Sequence, residues 1–347
     1  MSEVTSTAPV LSVENLRVRF QTETGIVKAV DDVSFELRKG EVLAIVGESG
    51  SGKSVTAMSL MGLTRGVNAT IEGRAMLGET DLIAADDEQL RRIRGEELAM
   101  IFQDPMSSLN PVYRVGPQIT EMIHAHRDVS DAEADRHAIE LMESVGIPAA
   151  EERFRAYPHE FSGGMRQRVM IAMALSLEPR VLIADEPTTA LDVTIQAQIL
   201  RLIEALNRDH DVATILITHD LGVVAEVADR VVVMYGGRVV ETGTLDQIFY
   251  EPQHPYTWGL LGSVTRLDRP GTERLVQIKG QPPSLVDPPV GCHFRPRCPF
   301  AFDRCGELPP LEAHGADPTH LDRCLLPESD RERHRAELAE QTGADAA

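Results

Sequence analysis

The segment Gly47–Ser54 has the composition and spacing of a phosphate-binding loop. It reads GESGSGKS and lies between the apolar run VLAIV and the helical pattern VTAMSLMGL. Glycines allow the backbone to bend around an anion, so that several N–H groups and the N-terminus of the following helix face it. Lys53 could then reach the β- and γ-phosphates and the Ser54 hydroxyl could bind Mg²⁺. We predict a P-loop; the alternative is an ordinary Gly/Ser-rich turn. The predicted ATP contacts here are Gly47, Glu48, Ser49, Gly50, Ser51, Gly52, Lys53 and Ser54.

Two neighbouring carboxylates follow another apolar run and could complete a site for nucleotide hydrolysis. Asp185 and Glu186 end the segment VLIADE, so a buried strand would deliver both acids to the edge of a sheet. Asp185 could hold Mg²⁺, while Glu186 could orient the attacking water or accept its proton. An Asp-Glu pair alone is more often only a polar strand end. Together with the P-loop, the pair predicts a hydrolysis site.

A third motif, FSGGM at 161–165, precedes the strand that carries the two acids and is followed by Arg-Gln-Arg. Two glycines at a helix start can form an anion site. An ordinary helix capped by Ser162 would show the same sequence pattern. The motifs in this order resemble the ATP-binding cassette (ABC) proteins. The resemblance implies that Ser162, Gly163 and Gly164 donate hydrogen bonds to the γ-phosphate of ATP held by a partner ATPase. The motif has Phe161 and Met165 where the family usually has Leu and Gln, while the Ser-Gly-Gly that faces phosphate is intact.

Other elements of this family occur in the expected order. The resemblance implies that Gln103, after the run LAMIF, senses Mg²⁺ and the attacking water. Ala190-Leu191-Asp192 resembles the D-loop at the dimer seam, and His219 resembles the switch histidine that contacts the γ-phosphate. Phe20 lies near the position of the aromatic side chain that stacks on adenine, but it would serve equally well as a core residue on a strand. The expected Mg²⁺ contacts are Ser54, Gln103 and Asp185.

Two further stretches narrow the resemblance to the ATPase subunits of dipeptide and oligopeptide permeases. They are PMSSLNPVYRVGPQI after Gln103 and HPYTWGLL from His254, and DEPTTALDVTIQAQI is also characteristic. The likeness runs from about residue 10 to about residue 327. It implies that residues 104–120 contact two integral membrane permease subunits. It also implies a second, related but distinct ABC ATPase subunit and an extracytoplasmic peptide-binding protein.

The function implied by this resemblance is ATP hydrolysis that powers import of dipeptides or oligopeptides, with ATP sandwiched between two ATPase subunits. ATP and Mg²⁺ are the expected cofactors. Because close relatives move nickel or other small solutes, an importer of such a solute is an alternative. A soluble ABC protein of DNA repair or translation would carry a second cassette or a long coiled-coil insertion, whereas this chain has one P-loop. A non-catalytic cassette would lack Glu186 or His219, and both are present.

The predicted secondary structure would place these motifs on a mostly parallel sheet. Continuous apolar runs predict strands buried on both faces at 42–46, 98–102, 181–185, 213–218 and 230–235. Alternating apolar residues between Leu11 and Leu37 predict antiparallel strands. Ser130 and Glu133 predict a capping box at the start of a helix that stops near Gly146. With the resemblance, the fold class is α/β: an ABC-type P-loop ATPase core, an antiparallel β-subdomain, a helical subdomain and a small cysteine-containing C-terminal domain.

The expected division of the chain follows a change in composition after about residue 250, where Pro and Gly become frequent. We predict an ABC nucleotide-binding domain at 1–260, with its helical subdomain at about 104–180. A C-terminal oligopeptide-permease-type domain would follow at 261–327. The last residues, 328–347, are charged and Ala-rich, which predicts a disordered tail or a frayed helix.

All four cysteines lie in the predicted C-terminal domain with the spacing C-x5-C-x6-C-x18-C. Inert core thiols, disulfides, a zinc site or an iron-sulfur cluster could each explain them, but disulfides are disfavoured in a reducing cytosol. Metal binding could organise a segment that buries little apolar surface, and the spacing leaves the metal open. The family resemblance implies a [4Fe-4S] cluster with a structural or regulatory role, held by Cys292, Cys298, Cys305 and Cys324.

Charge and hydropathy limit where the protein acts. The formal net charge of -20 argues against a general nucleic-acid binder, so we expect no nucleic-acid partner. The polar N-terminal sequence does not resemble a secretory signal, and no apolar run approaches the roughly 18 residues of a membrane-spanning helix. These features predict a cytosolic chain, and the resemblance implies a peripheral position at the cytoplasmic face of the cell membrane.

Overall fold

The computed structural model of the 347-residue chain describes residues 8–66, 68–104, 108–189, 192–263, 278–313 and 317–334. They form two compact units, which we treat separately. The P-loop unit comprises Ser12–Phe35, Leu43–Ala75 and Thr218–Ala347. The carboxylate unit comprises Met1–Leu11, Glu36–Val42 and Met76–Ile217.

The described chain contains both β-strands and α-helices. The strands are β1 (Leu11–Thr22), β2 (Gly25–Leu37), β3 (Val42–Val46), β4 (Ala69–Leu77), β5 (Thr80–Asp81), β6 (Leu98–Ile101), β7 (Val181–Asp185), β8 (Ala213–Thr218), β9 (Arg230–Tyr235), β10 (Arg238–Thr244), β11 (Glu312–Ala313) and β12 (Leu321–Asp322). The α-helices are α1 (Lys53–Leu60), α2 (Asp87–Glu96), α3 (Val115–His126), α4 (Asp131–Ser144), α5 (Ala150–Arg153), α6 (Gly163–Leu175), α7 (Val193–His210), α8 (Leu221–Val227), α9 (Leu245–Tyr250) and α10 (Pro255–Gly262). None of the described helices combines the length and apolar character needed to cross a membrane.

The P-loop unit contains the strand that leads into the P-loop. β3 pairs in parallel with β9, and β10 then pairs antiparallel with β9 and with the short β12. Every residue of β3 is buried, which explains its continuous apolar sequence. The long strands β2, β1 and β4 are neighbours in a second sheet, in that order. The predicted strands at 11–37, 42–46 and 230–235 are therefore confirmed.

A cluster of aromatic rings holds the C-terminal part of this unit against β9. Tyr235 of β9 lies 4.6 Å from Tyr256 of α10 and 5.2 Å from Phe294, measured between ring centroids. Tyr256 and Phe294 are 5.4 Å apart in an edge-on arrangement, and all three side chains are buried. Aromatic pairs at these distances stabilise a core beyond the area they bury. Residues near the cysteines thus share a core with the central sheet of the P-loop unit.

The carboxylate unit contains three parallel strands in the order β6, β7, β8. Asp185 at the end of β7 lies opposite Ile217 of β8 in the register. Helix α4 begins as predicted, because Ser130 and Glu133 form a reciprocal capping box. The helix ends at Ser144, and Gly146 follows with a φ of +76°.

The cysteine-bearing segment, residues 278–313 and 317–334, has little regular structure beyond β11, β12 and a short 3-10 helix at Asp303–Gly306. Residues 328–334, in the stretch predicted to be a disordered tail or a frayed helix, are helical. Arg331 anchors this helix, because its buried guanidinium bonds Asp322 at 2.8 Å and the carbonyl of Cys324 at 2.6 Å. Residues 335–347 lie outside the described part of the chain. The predicted domain boundary at 260/261 falls within α10, and that division stays a prediction.

Candidate functional site

The P-loop joins β3 to α1 and approaches neighbouring backbone closely at two glycines. Gly47 has a φ of +151°, and a Cβ there would lie 2.2 Å from the carbonyl oxygen of Met234. Gly52 has a φ of +101°, and its Cβ would lie 2.4 Å from the carbonyl oxygen of Ala29. Both positions therefore require glycine for space as well as for conformation. Gly50 also has a positive φ of +80°, but a Cβ there would meet no described atom within 4 Å.

Polar groups inside the P-loop suit a bound anion. Lys53 is 5% exposed, and its Nζ donates to the loop's own carbonyls, at 2.7 Å to Gly47 and 3.1 Å to Glu48. The hydroxyl of Ser51 is buried and has no hydrogen-bond partner among the described residues. The first residue before α1, Gly52, provides no side-chain cap for the helix N-terminus. The loop thus places a lysine, a hydroxyl and a helix N-terminus without a side-chain cap next to one another, which are groups that a phosphate binds.

Glu48, the acidic residue of the P-loop, is anchored by two residues from the C-terminal part of the chain. Its backbone N–H donates to the Tyr256 hydroxyl at 2.8 Å. Its carboxylate accepts two hydrogen bonds from Arg297, one from each terminal nitrogen, at 2.5 and 3.0 Å. The pKa of Tyr256 is raised above its usual value, chiefly by burial. Tyr256 therefore stays protonated and accepts the N–H bond through its oxygen lone pairs.

The carboxylate unit brings three predicted residues together at the end of β7. The Gln103 amide donates to Glu186 Oε2 at 2.8 Å, and the Thr189 hydroxyl donates to the same oxygen at 2.9 Å. The Glu186 backbone N–H donates to the carbonyl of Ile217 at 2.9 Å, with Glu186 in a left-handed conformation at φ +47°. Asp185 precedes it and is 5% exposed. Neighbours on two sides therefore fix the Glu186 carboxylate.

The SGG motif begins helix α6 in the same unit. The Ser162 hydroxyl accepts a hydrogen bond from the Met165 N–H at 3.3 Å, which is an N-terminal cap. A Cβ at Gly164 would lie 2.9 Å from Ile195 Cγ2, so this glycine allows α6 to pack closely against α7. Asp192 caps α7 by accepting from the N–H of the same Ile195 at 3.0 Å. The serine is therefore a helix cap, and this does not conflict with a phosphate contact by the exposed start of the helix.

The other predicted site residues differ in their burial and in the elements on which they lie. His219 directly follows β8 and is exposed, while Phe20 lies in β1 and is half-buried. At Gly163, a Cβ would meet no described atom within 4 Å, so the start of α6 is open there. Ser49 is exposed and Ser54 is half-buried. Ala190 and Leu191 of the predicted D-loop lie outside the described residues, as do residues 105–107 of the predicted permease contact.

The four cysteines line one cavity in the P-loop unit. All four are free thiols; Cys305 is buried, and the other three are half-buried among mostly apolar neighbours. Gly291 brings two of them together, because its φ is +82° and a Cβ there would lie 2.5 Å from the carbonyl oxygen of Cys305. The Cys292 N–H donates to that carbonyl at 3.0 Å. The lining includes Cys292, Phe294, Cys298, Phe300, Phe302, Cys305, Pro309, Cys324, Leu325 and Leu326.

Burial sets the chemistry of these thiols. It raises the pKa of Cys298 and of Cys324 to about 12 and also raises the pKa of Cys292. The neutral thiol is therefore favoured in the absence of a cation. In the described ranges, no group of three or more His, Cys, Asp or Glu side chains is arranged to hold a metal ion. The sulfurs share a cavity without converging on one ion-binding point.

Comparison with known proteins identifies the family. The family model described as ABC transporter matches residues 30–189, and the one described as oligopeptide/dipeptide transporter, C-terminal region, matches residues 240–305. The oligopeptide transport ATP-binding protein OppD of Salmonella typhimurium is 51% identical over 332 residues, covering 94% of this chain and 98% of the relative. The dipeptide transport ATP-binding protein DppD of Bacillus subtilis is 54% identical over 318 residues, covering 91% and 94%. This chain belongs to the ATP-binding proteins of oligopeptide and dipeptide ABC transporters.

A solved structure supports the same family at the level of the fold. The dimeric ATP-binding cassette MJ0796, in a post-hydrolysis state bound to ADP and Pi, superposes with a TM-score of 0.61. It is 27% identical and covers 68% of this chain and 98% of its own. The predicted ABC cassette fold is confirmed. The protein is an ABC-type ATPase.

Sequence reasoning missed three contacts in this ABC-type ATPase. Arg297 and Tyr256 hold Glu48, and Thr189 holds Glu186. Tyr256 belongs to the HPYTWGLL stretch and Arg297 to the cysteine-rich stretch, so both lie in conspicuous sequence. Neither stretch carries a pattern that specifies a partner more than 200 residues away, which is why the contacts required a structure.

Proposed function

We propose that this ABC-type ATPase powers the import of dipeptides or oligopeptides through a membrane transporter. The observation that carries the proposal is the full-length similarity to proteins named for oligopeptide and dipeptide transport, with identity above 50% over more than 90% of the chain. The preformed P-loop agrees with it, because its glycines already hold the backbone in the curved conformation that a phosphate requires.

In the proposed mechanism, the P-loop binds the phosphates of ATP. Lys53 Nζ exchanges its bonds to the carbonyls of Gly47 and Glu48 for bonds to the β- and γ-phosphates. The Ser51 hydroxyl and the uncapped N-terminus of α1 add donors. Phe20 stacks on the adenine.

Hydrolysis is assigned to the carboxylate pair and its neighbours. Ser54, Asp185 and Gln103 would hold Mg²⁺, which neutralises charge on the phosphates. Glu186 orients the attacking water and accepts its proton, and its position is fixed by the bonds from Gln103 and Thr189. His219 contacts the γ-phosphate.

The complete transporter needs partners. Ser162, Gly163, Gly164 and Asp192 would face the ATP of a second, distinct ABC ATPase subunit, so that two ATP molecules are sandwiched at the dimer interface. Two integral membrane permease subunits would anchor the pair at the cytoplasmic face of the membrane. An extracytoplasmic peptide-binding protein would deliver the substrate, and closure of the dimer on ATP would shift the permease between its states.

Purification from native membranes tests this function. The tagged chain is isolated in mild detergent, its partners are identified by mass spectrometry, and the complex is placed in liposomes with peptide-binding protein. We expect two permease subunits, a second ATPase, and ATP hydrolysis stimulated by a dipeptide or oligopeptide. If nickel but not peptides stimulated ATP hydrolysis, the transported solute would be nickel and not a peptide. Absence of any membrane subunit would favour a soluble, non-transport ATPase.

We further propose that the cysteine cavity holds a [4Fe-4S] cluster, with zinc as the alternative. The donor set fits, because four free thiols and a largely apolar lining are typical of such sites. A single zinc ion would need all ligands about 2.3 Å from one centre. The preference for a cluster rests on the resemblance to the permease ATPases. Cys292, Cys298, Cys305 and Cys324 would be its ligands.

Metal analysis distinguishes the two alternatives. Protein purified without oxygen should contain iron and acid-labile sulfide and absorb visible light. Stoichiometric zinc without iron would overturn the cluster. The variant Cys298→Ser should lose most of the iron. Its P-loop sequence is unchanged.

A further inference from the structure

We infer that Arg297 is a positioning residue of the nucleotide site, through which the cysteine-bearing segment controls the shape and charge of the P-loop. Arg297 immediately precedes Cys298 in the chain. Its guanidinium forms a two-pronged ion pair with the Glu48 carboxylate, in which the arginine side chain is 5% exposed and the glutamate 28%. The inference rests on the proposed binding of ATP by this loop.

The guanidinium is fixed independently of Glu48. Its Nε donates to the carbonyl of Lys279 at 3.0 Å, and one terminal nitrogen donates to the carbonyl of Ile278 at 3.2 Å. The other terminal nitrogen lies 3.3 Å from the Tyr235 hydroxyl, and the cation stacks over that ring at 5.7 Å. Because the fork is held by the cysteine-bearing segment and β9, Glu48 must adapt to its position.

Glu48 in turn determines the charge that the phosphates of ATP encounter at the start of the loop. It is the one acidic residue of Gly47–Ser54, and its carbonyl accepts a hydrogen bond from Lys53. An unpaired carboxylate next to the phosphate site would repel the triphosphate, and the repulsion would be strong in a partly buried loop. Arg297 neutralises this carboxylate and prevents it from rotating toward the phosphates.

A second contact links the same segment to the loop. His293 follows Cys292 and bonds the carbonyl of Gly236 through Nδ1 at 2.8 Å. Because a carbonyl only accepts, Nδ1 carries the hydrogen. The next residue, Gly237, donates its N–H to the carbonyl of Ser51 at 3.1 Å. The segment therefore supports the P-loop at Ser51 as well as at Glu48, and Arg297 is the contact that carries charge.

A double-mutant cycle on ATP affinity tests the role of Arg297. Full-length protein, purified without oxygen, is titrated with Mg-ATP by calorimetry as wild type, Arg297→Met, Glu48→Gln and the double variant. We expect Arg297→Met to weaken binding about tenfold in the wild-type background. In the Glu48→Gln background the same change should cost less than about twofold, because no carboxylate is left unpaired. A role confined to folding would give equal losses in both backgrounds.

Arg323→Met is the matched control. Arg323 also precedes a cysteine and pairs with a carboxylate, Asp32, at 3.0 Å, but its other hydrogen bonds go to the carbonyls of Asp32, Val239 and Pro309 and not to the P-loop. It should lower the melting temperature and leave ATP affinity within about twofold of wild type. If Arg297→Met does not fold, Arg297→Lys keeps the charge without the fork and should lose about threefold in affinity.

The outcomes separate the inference from the proposed function. If wild type does not bind ATP, or binds it no better than Lys53→Ala, the proposed function fails. If wild type binds ATP and Lys53→Ala does not, but the Arg297 variants bind like wild type or show no coupling to Glu48, the inference is overturned.

Discussion

The P-loop takes its shape within eight consecutive residues, whereas the cysteine cavity is assembled from residues between His254 and Leu326. In the P-loop, each unusual backbone position is occupied by a glycine of a recognisable motif. In the cavity, regular structure is sparse and aromatic and aliphatic side chains complete the lining. A local motif can therefore be predicted from its own sequence, while the cavity depends on contacts that only the folded chain creates.

The two regions nevertheless share one structural feature, a glycine with positive φ packed against a backbone carbonyl. Gly52 in the P-loop and Gly291 beside the first cysteine both have positive φ, and both face a carbonyl oxygen where a Cβ would lie 2.4 or 2.5 Å away. They also meet directly, because Arg297 of the cysteine-bearing segment bonds Glu48 of the P-loop across 249 residues of sequence. Distance along the chain does not make the cysteine region independent of the nucleotide site.

Removal of the P-loop lysine should produce the largest difference between the two regions, in ATP affinity on one side and iron content on the other. Lys53→Ala takes away the charged donor to the phosphates, so we expect ATP affinity to fall about 100-fold. Iron content should not change, because Lys53 does not line the cysteine cavity. Calorimetry with Mg-ATP and an iron assay check both parts, and unchanged ATP affinity would count against the P-loop assignment.

Substitution of a loop glycine should show that close backbone approach, and not flexibility alone, shapes the P-loop. Gly52→Ala would force a Cβ against the carbonyl of Ala29 and should weaken ATP binding by more than about tenfold. Gly50→Ala is the matched control, since it has a positive φ but open space, and it should cost about threefold or less. Equal losses in the two variants would refute the steric explanation.

Substitution of the corresponding glycine at the cysteine cavity should affect the stability of the fold more than it affects nucleotide binding. In Gly291→Ala, the new Cβ would collide with the backbone of Cys305 and displace Cys292. We expect a loss of about 2 kcal/mol in the free energy of unfolding and reduced iron content. Chemical denaturation and metal analysis give the answer, and a variant with wild-type stability and iron would show that this approach is unimportant.

The smallest expected effect comes from the second anchor of Glu48. Tyr256→Phe removes the hydroxyl that accepts the Glu48 N–H and leaves the aromatic packing intact. The loss of one neutral hydrogen bond should cost about 1 kcal/mol and weaken ATP binding by about fivefold or less. A larger loss than in Arg297→Met would reverse the ranking of the two anchors.

Much of the fold could be predicted because its signals are local. The buried parallel strands appear as continuous apolar runs, and the capping box at Ser130 and Glu133 is visible in the sequence. The contacts of single polar side chains could not be predicted in the same way. Arg297, Arg331 and Tyr256 each bond a partner that no spacing specifies. The burial of Arg331 could not be predicted, because the tail after residue 327 is charged and carries no packing pattern.

The same limit applies to the predicted catalytic groups. The resemblance implies that Gln103 and Glu186 each act on the attacking water, and in the structure the Gln103 amide donates to the Glu186 carboxylate at 2.8 Å. Thr189, which bonds the same oxygen, lies in a stretch that resembles the family but carries no separate signal. Roles at the phosphates follow from the resemblance and stay predictions.

The proposed site of ATP cleavage is tested most directly by comparing ATP binding with ATP hydrolysis in Glu186→Gln, using the purified transporter complex. We expect Glu186→Gln to bind Mg-ATP within about threefold of wild type, because the P-loop is untouched, while turnover falls at least about 100-fold without the water-orienting carboxylate. Hydrolysis at a near-normal rate would contradict the assignment of Glu186 and with it the proposed site of ATP cleavage.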